Sequence, residues 1–330
     1  MKTVPCVLCG VNKRLPLVTG YDRMQPRAED YRYERCAACG LVALAPLPSP
    51  EEVEGFYPAD YYARIDTWRR NLDKPINRLA IRYLFSVDSR DRSRLLRGLL
   101  RVGSSRILKG IHEPHGANRM LDVGCGTGDE LETYRRLGWS VQGIETNPQA
   151  CAVCRGRGLE VHEATVFAAP LAGQTFDLIL LNHVIEHVLD PVAVVARVAG
   201  WLAPNGRLIV RTPNIDSLGF ALYGASWYSL DAPRHIFLFD PYTIRVLARR
   251  AAVTVRRLVT QASPRVLLAS RHYARTQGRV LRGDPASRET ILREARAPAQ
   301  RIARELLMPL AALSVVWQRG EHIEAEFVKG

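Results

Sequence analysis

From residue 120 onward, short apolar runs alternate with segments whose apolar positions recur every three to four residues. The first kind reads as buried strand and the second as amphipathic helix. The pattern predicts strands over 120–123, 141–145, 159–162, 176–181 and 207–211. Helices are expected over 129–137, 148–157 and 191–202. A helix over 241–251 and a strand over 253–260 follow, and 322–328 alternates as a last strand. Strands and helices taking turns in this way build a parallel sheet covered on both faces. The expected fold class is therefore α/β, with a doubly wound, mostly parallel seven-stranded sheet.

Residues 51–118 read differently. Arg78-Leu-Ala-Ile-Arg-Tyr-Leu-Phe and Arg94-Leu-Leu-Arg-Gly-Leu-Leu-Arg put Leu and Ile at helical spacing beside a basic face. The expectation is a basic helical connector covering a sheet edge, with its arginines in solvent. Such helices also suit an anionic membrane surface. A second arginine-rich helical stretch, 263–318, is expected as an insertion between the last two strands. The 330-residue chain carries a net charge of +13, which favours anionic partners. It has no apolar run near membrane-spanning length and no apolar core behind its first residues. A cytoplasmic protein is expected, with peripheral attachment at the inner membrane face as a variant of that reading.

Cysteine spacing adds a module. Cys6-x-x-Cys9-Gly10 and Cys36-x-x-Cys39-Gly40 are two matching knuckles. Two intervening residues let both thiolates face one ion, and the glycine allows the tight turn behind them. The expectation is an N-terminal zinc ribbon over 1–50, with Cys6, Cys9, Cys36 and Cys39 closing a structural Zn²⁺ site. Residues 41–50 read as its proline-rich exit. Cys151 and Cys154 share a helix face and read as small packing residues, as does Cys125. The domain plan is then 1–50 ribbon, 51–118 connector and 119–330 catalytic domain.

The most telling stretch is Met120-Leu-Asp-Val-Gly-Cys-Gly-Thr-Gly-Asp129, a strand entering a glycine-rich turn. Glycines let backbone approach a ligand where a Cβ would clash. Glu145, at the end of the next strand, can accept both hydroxyls of a ribose. A dinucleotide fingerprint needs Gly-x-Gly-x-x-Gly. After Gly124 and Gly126 the third position is Asp129, and after Gly126 and Gly128 it is Leu131, so neither frame fits.

The pattern instead resembles motif I of the class I S-adenosylmethionine (SAM) methyltransferases. That resemblance implies a Rossmann-like sheet and SAM as cofactor. Asp122, Gly124, Cys125, Gly126, Thr127 and Gly128 would hold its methionine end. Glu145, with Thr146 and Asn147, would hold the ribose, and Asn182 with His183 the sulfonium side.

Asn182-His183-Val-Ile-Glu186-His187 continues the fourth strand into a short connection before Asp190-Pro191 opens a helix. H-x-x-E-H on a helix would spell a zinc protease, but here strand precedes it and Pro191 follows. It is similar to the segment after strand four in a large bacterial methyltransferase group. So are Thr212-Pro-Asn, Trp227, Pro233-Arg-His235-Ile-Phe and Gly320-Glu-His-Ile-Glu324. The likeness extends to zinc-ribbon-bearing methyltransferases associated with sugar and cell-envelope glycan biosynthesis. It implies methyl transfer to a small-molecule acceptor: a sugar, nucleotide-sugar or lipid-linked glycan. A hydroxyl acceptor must lose a proton, and His183, His187 and His235 are the catalytic candidates. Trp227 and Tyr228 are expected to wall the acceptor site. An RNA methyltransferase gripping nucleic acid with ribbon and arginines is a second reading. A non-enzymatic SAM-binding or zinc-ribbon interaction protein is a third.

Overall fold

The computed structural model describes residues 4–24, 29–57, 117–280 and 311–330. Most of the connector, and residues 281–310 of the insertion, lie outside the described residues, as do the basic helices on which membrane or RNA binding would rest. Among the described residues no helix is long and apolar enough to cross a membrane.

The strands are β1 (Arg14–Tyr21), β2 (Asp30–Cys36), β3 (Val42–Ala45), β4 (Arg119–Val123), β5 (Ser140–Glu145), β6 (Val161–Glu163), β7 (Phe176–Asn182), β8 (Leu202–Pro213), β9 (Phe237–Leu238), β10 (Val253–Gln261) and β11 (His322–Lys329). The helices, numbered here in chain order, are α1 (Pro50–Gly55), α2 (Asp129–Arg136), α3 (Pro148–Gly156), α4 (Pro191–Gly200), α5 (Leu218–Tyr223), α6 (Pro241–Arg250) and α7 (Pro264–Val280). Seven strands form one sheet in the order β10-β11-β8-β7-β4-β5-β6. β4, β5 and β6 run parallel, and β11 is antiparallel to both β8 and β10. This is the Rossmann-like α/β sheet that the strand–helix alternation predicts.

Two compact units are distinguishable. One lies within Ile65–Leu180 and Trp201–Arg207. It is built on β4, β5 and β6, with α2 and α3 packed on them. Leu121, Leu131, Tyr134, Cys151, Cys154 and Leu178 are fully buried there. Helix ends follow local chemistry: Asn147 caps α3 by accepting from the Ala150 amide, and Pro148 takes the first helical turn. The expected packing role of Cys151 and Cys154 holds.

The other unit lies within Met1–Arg64, Leu181–Gly200 and Leu208–Gly330. It contains a second sheet, in the order β1-β2-β3-β9. The segment expected as a proline-rich exit is in fact β3 plus the start of α1. Val42 and Ala43 pair with Leu238 and Phe237, so a strand from far along the chain completes the N-terminal sheet. Tyr33, Val42, Leu44, Phe56, Ile215, Trp227, Leu230 and Leu238 form one core. Trp227 does not wall a site. It is fully buried, and its indole N–H donates to Glu321 over 2.9 Å. Tyr228 stacks on Tyr273 at 5.8 Å between centroids. Both rings went into packing because α7 covers them, a contact that local sequence does not encode.

Candidate functional site

Three groups of residues carry chemistry. The first is the loop between β4 and α2. Gly124, Gly126 and Gly128 all have positive φ, at 70°, 54° and 82°. A Cβ on Gly128 would lie 2.6 Å from Leu159 and 2.9 Å from the Cys154 sulfur. Gly143, on the neighbouring strand, is equally tight against Cys125 at 2.6 Å. The loop is thus a backbone cradle that tolerates no side chain at these points. Its floor is Glu145, almost completely buried. One carboxylate oxygen accepts from the Gly126 amide at 2.9 Å. The other accepts from the amides of Thr146 at 2.8 Å and Asn147 at 2.9 Å. Glu145 therefore braces the glycine turn and the start of α3 together. The structure brings Asp122, Gly124, Cys125, Gly126, Thr127, Gly128, Glu145, Thr146 and Asn147 into this one unit.

The second group follows β7, in the other unit, and includes Asn182, His183, His187 and His235. The Asn182 amide oxygen accepts from Arg211 at 3.0 Å, and Arg211 is itself held by Glu324 at 2.8 Å. His183 adopts a left-handed backbone, φ 54°, and its amide donates to the Arg211 carbonyl. A non-glycine residue held there is a strained position of the kind found at functional turns. Its Nδ1 lies 2.9 Å from Glu186 Oε1, while its side chain remains 48% exposed. Glu186 is fully buried; Thr212 donates to its second oxygen at 3.0 Å. Its backbone carbonyl accepts from the amides of Ile236 and Phe237. Burial opposes the charge of this carboxyl, but the His183 hydrogen bond and the neighbouring imidazoles outweigh it and hold the pKa near about 2.

His187 and His235 stack edge to face, 4.7 Å between ring centres. His187 Nδ1 meets the Arg234 carbonyl at 2.9 Å and the Tyr57 hydroxyl at 3.0 Å. His235 Nδ1 meets the Ser229 carbonyl at 2.8 Å. Burial, and then the neighbouring His235, push His187 down to about 4. His235 is likewise lowered, by burial first. Glu186, Tyr57 and Thr212 were not among the expected site residues. Glu186 stood in view in the His183-x-x-Glu186-His187 string, whereas Tyr57 and Thr212 reach the cluster only through the fold. The connection is not helical, which agrees with rejecting the protease pattern.

The third group is the cysteine cluster. Cys6 and Cys39 sulfurs lie 3.5 Å apart, as do those of Cys9 and Cys36. All four fall within 4.8 Å of one another. Zn–S bonds of about 2.3 Å in a tetrahedron set S···S edges near ~3.8 Å, so the donor set fits zinc. Gly10 and Gly40 have φ of 77° and 80°, and their amides close each knuckle onto Cys6 and Cys36. Burial raises the Cys36 pKa, but the Cys39 and Ala38 amides more than offset it and bring the thiol to about 7.

A methyltransferase-domain family profile matches residues 70–257. A ubiquinone biosynthesis O-methyltransferase of Xanthomonas axonopodis pv. citri is 39% identical over 118 residues, covering 33% of this chain and 48% of that protein. The Cereibacter sphaeroides protein of the same name is 34% identical over 122 residues, covering 34% and 49%. The chain thus spans about half the length of the curated relatives it matches. Among solved structures, a SAM-dependent methyltransferase from Mesorhizobium loti aligns over 68% of this chain and 96% of its own, at 16% identity and a TM-score of 0.44. Since the profile spans more than half of its length, this chain belongs to the methyltransferase-domain family.

Proposed function

We propose that the protein transfers a methyl group from SAM to an oxygen of a small-molecule acceptor, with His183 as the base. The observation that carries this reading is the His183–Glu186 pair. A half-exposed imidazole has its Nδ1 fixed by a buried, ionised carboxylate, which is fixed in turn by Thr212. The arrangement fixes the ring through Nδ1 and leaves Nε2 as the nitrogen that would take the acceptor proton. His235 is buried and His187 half-buried, and both are already engaged at Nδ1, so they shape the surroundings. In this reading residues 1–50 are a zinc ribbon, 51–118 a connector and 119–330 the catalytic domain.

SAM supplies an electrophilic methyl group and a good leaving group. The chain's own residues bind, orient and take the acceptor proton. Asp122 to Gly128 would hold the methionine end and Glu145 to Asn147 the ribose, with Asn182 and His183 toward the sulfonium. The sequence resemblance favours a sugar, nucleotide-sugar or lipid-linked glycan, and the curated relatives are named for ubiquinone biosynthesis. Where the accepting atom is a hydroxyl oxygen, either class must give up its proton to a base. Zinc in the ribbon is structural, because four thiolates leave no open position.

Two variants test this reading. His183→Gln should lower kcat by about 10²-fold while SAM affinity changes less than about tenfold. Equal activity in the variant would remove His183 from the mechanism. Glu145→Ala removes hydrogen bonds to a charged acceptor and the brace on the glycine turn. Calorimetric SAM affinity should fall by about 10²-fold, from roughly 3 kcal/mol lost. Unchanged affinity would place the cofactor elsewhere.

A further inference from the structure

Beside the His183–Glu186 pair lie two imidazoles, His187 and His235, that the proposed mechanism does not use, and they cluster with Glu186. One ligand atom from each of Glu186, His187 and His235 falls within 4.8 Å of the other two. The two imidazoles are oriented by carbonyl oxygens: Arg234 at 2.9 Å for His187 and Ser229 at 2.8 Å for His235. A carbonyl can only accept, so Nδ1 carries the hydrogen in both rings and Nε2 keeps its lone pair. Metal-binding histidines show this arrangement, with the outer ring nitrogen donating to a carbonyl or carboxylate. His187 has a second outer partner in the Tyr57 hydroxyl, 3.0 Å from Nδ1. Glu186 is held equally firmly, by Thr212 on one oxygen and His183 on the other.

With both Nδ1 atoms donating to carbonyls, Nε2 is the nitrogen each ring has left for a ligand, and the two rings and the Glu186 carboxylate offer donor atoms within 4.8 Å of one another. We propose that Glu186, His187 and His235 form a second metal site, distinct from the four cysteines, which takes a divalent transition ion such as Zn²⁺. Two imidazoles and one carboxylate select zinc or a neighbouring first-row ion over magnesium, which prefers oxygen donors. Three protein ligands also leave coordination positions open, unlike the closed ribbon site. An acceptor hydroxyl could occupy one of them, beside the imidazole that takes its proton. His183 is outside the set because its Nδ1 is committed to Glu186. The site stands apart from the methyl-transfer reading, since metal uptake is measured without cofactor or acceptor.

The test is titration of metal-stripped full-length protein with Co²⁺, followed by absorption. Two equivalents are expected. One gives the intense thiolate charge-transfer bands of the cysteine site, and the other only weak ligand-field bands from nitrogen and oxygen donors. His235→Asn and His187→Gln should each weaken the second equivalent by at least about 10²-fold and leave the thiolate bands in place. Those retained bands show that the unit is still folded. If either variant loses both signatures through misfolding, the other decides. A wild-type protein that takes up one equivalent with thiolate bands alone would overturn the proposal. So would a second equivalent that persists unchanged in the folded variants.

Discussion

Replacing Cys36 with serine, or stripping metal from the four-cysteine cluster with a chelator, is expected to unfold the N-terminal module and abolish methyl transfer. The local reason is size. β1 and β2 bury few residues, and small metal modules draw about 10 kcal/mol or more of their folding free energy from the bound ion. The distant reason is wiring. β3 pairs with β9, and the Leu44 amide donates to the Ile236 carbonyl at 2.8 Å. The Tyr33 hydroxyl donates to the His235 carbonyl at 2.8 Å. The segment that carries His235 and anchors the Glu186 backbone therefore hangs on the N-terminal sheet. Amide exchange should accelerate both in the knuckles and at Ile236, Phe237 and Leu238, in parallel with the loss of activity. A metal-free protein that stays folded and active would show that the cysteines do not hold a structural ion.

The second large effect is expected at Arg234. Its guanidinium is fully buried, 2.9 Å from Asp22 and 3.0 Å from Asp231. Nε makes a further bond to Asp231 at 3.1 Å, so that pair is two-pronged. The remaining donors reach the carbonyls of Phe56 at 3.4 Å and Ala232 at 3.3 Å. Burial works against the charge, but Asp231 and Asp22 outweigh it and raise the pKa above its ordinary value. Arg234→Met leaves two carboxylates facing each other without their cation. Breaking a buried pair from one side costs about 3–5 kcal/mol, against total stabilities of about 5–15 kcal/mol. The urea midpoint should drop accordingly. Adding Asp22→Asn should restore part of the loss, because one stranded charge is removed. Arg234→Lys should rescue little, since a single ammonium cannot make the two-pronged contact. An unfolding free energy within about 0.5 kcal/mol of wild type would show that this network is not what joins Asp22 to the loop before β9.

Legibility in the sequence tracked the range of the interactions. The strand–helix alternation from β4 to β11 was readable because each element carries its own period. The glycine turn and Glu145 were readable because their spacing is local. β8 was expected to start at residue 207, yet it begins at Leu202. Pro204-Asn205-Gly206 looks like a turn, but Asn205, at φ 63°, makes a kink inside a continuing strand. The ribbon's strands were not predicted, because β1 and β2 carry few buried residues and β3 needs β9, some two hundred positions later, as partner. Trp227 and Glu186 show the same limit from opposite sides. An aromatic that looked suited to a ligand wall became core once Glu321 took its indole N–H. A glutamate first considered as part of a protease string became the anchor of His183 once β8 supplied Thr212.

The measurement that tests the central claim most directly is transfer of a radiolabelled methyl group from SAM, catalysed by the purified protein, into a cell extract. The extract is then separated into RNA, protein, lipid and small metabolites. The account predicts label in the small-metabolite or lipid fraction, on oxygen, falling about 10²-fold with His183→Gln. Label confined to RNA, or equal labelling by the His183 variant, would contradict it.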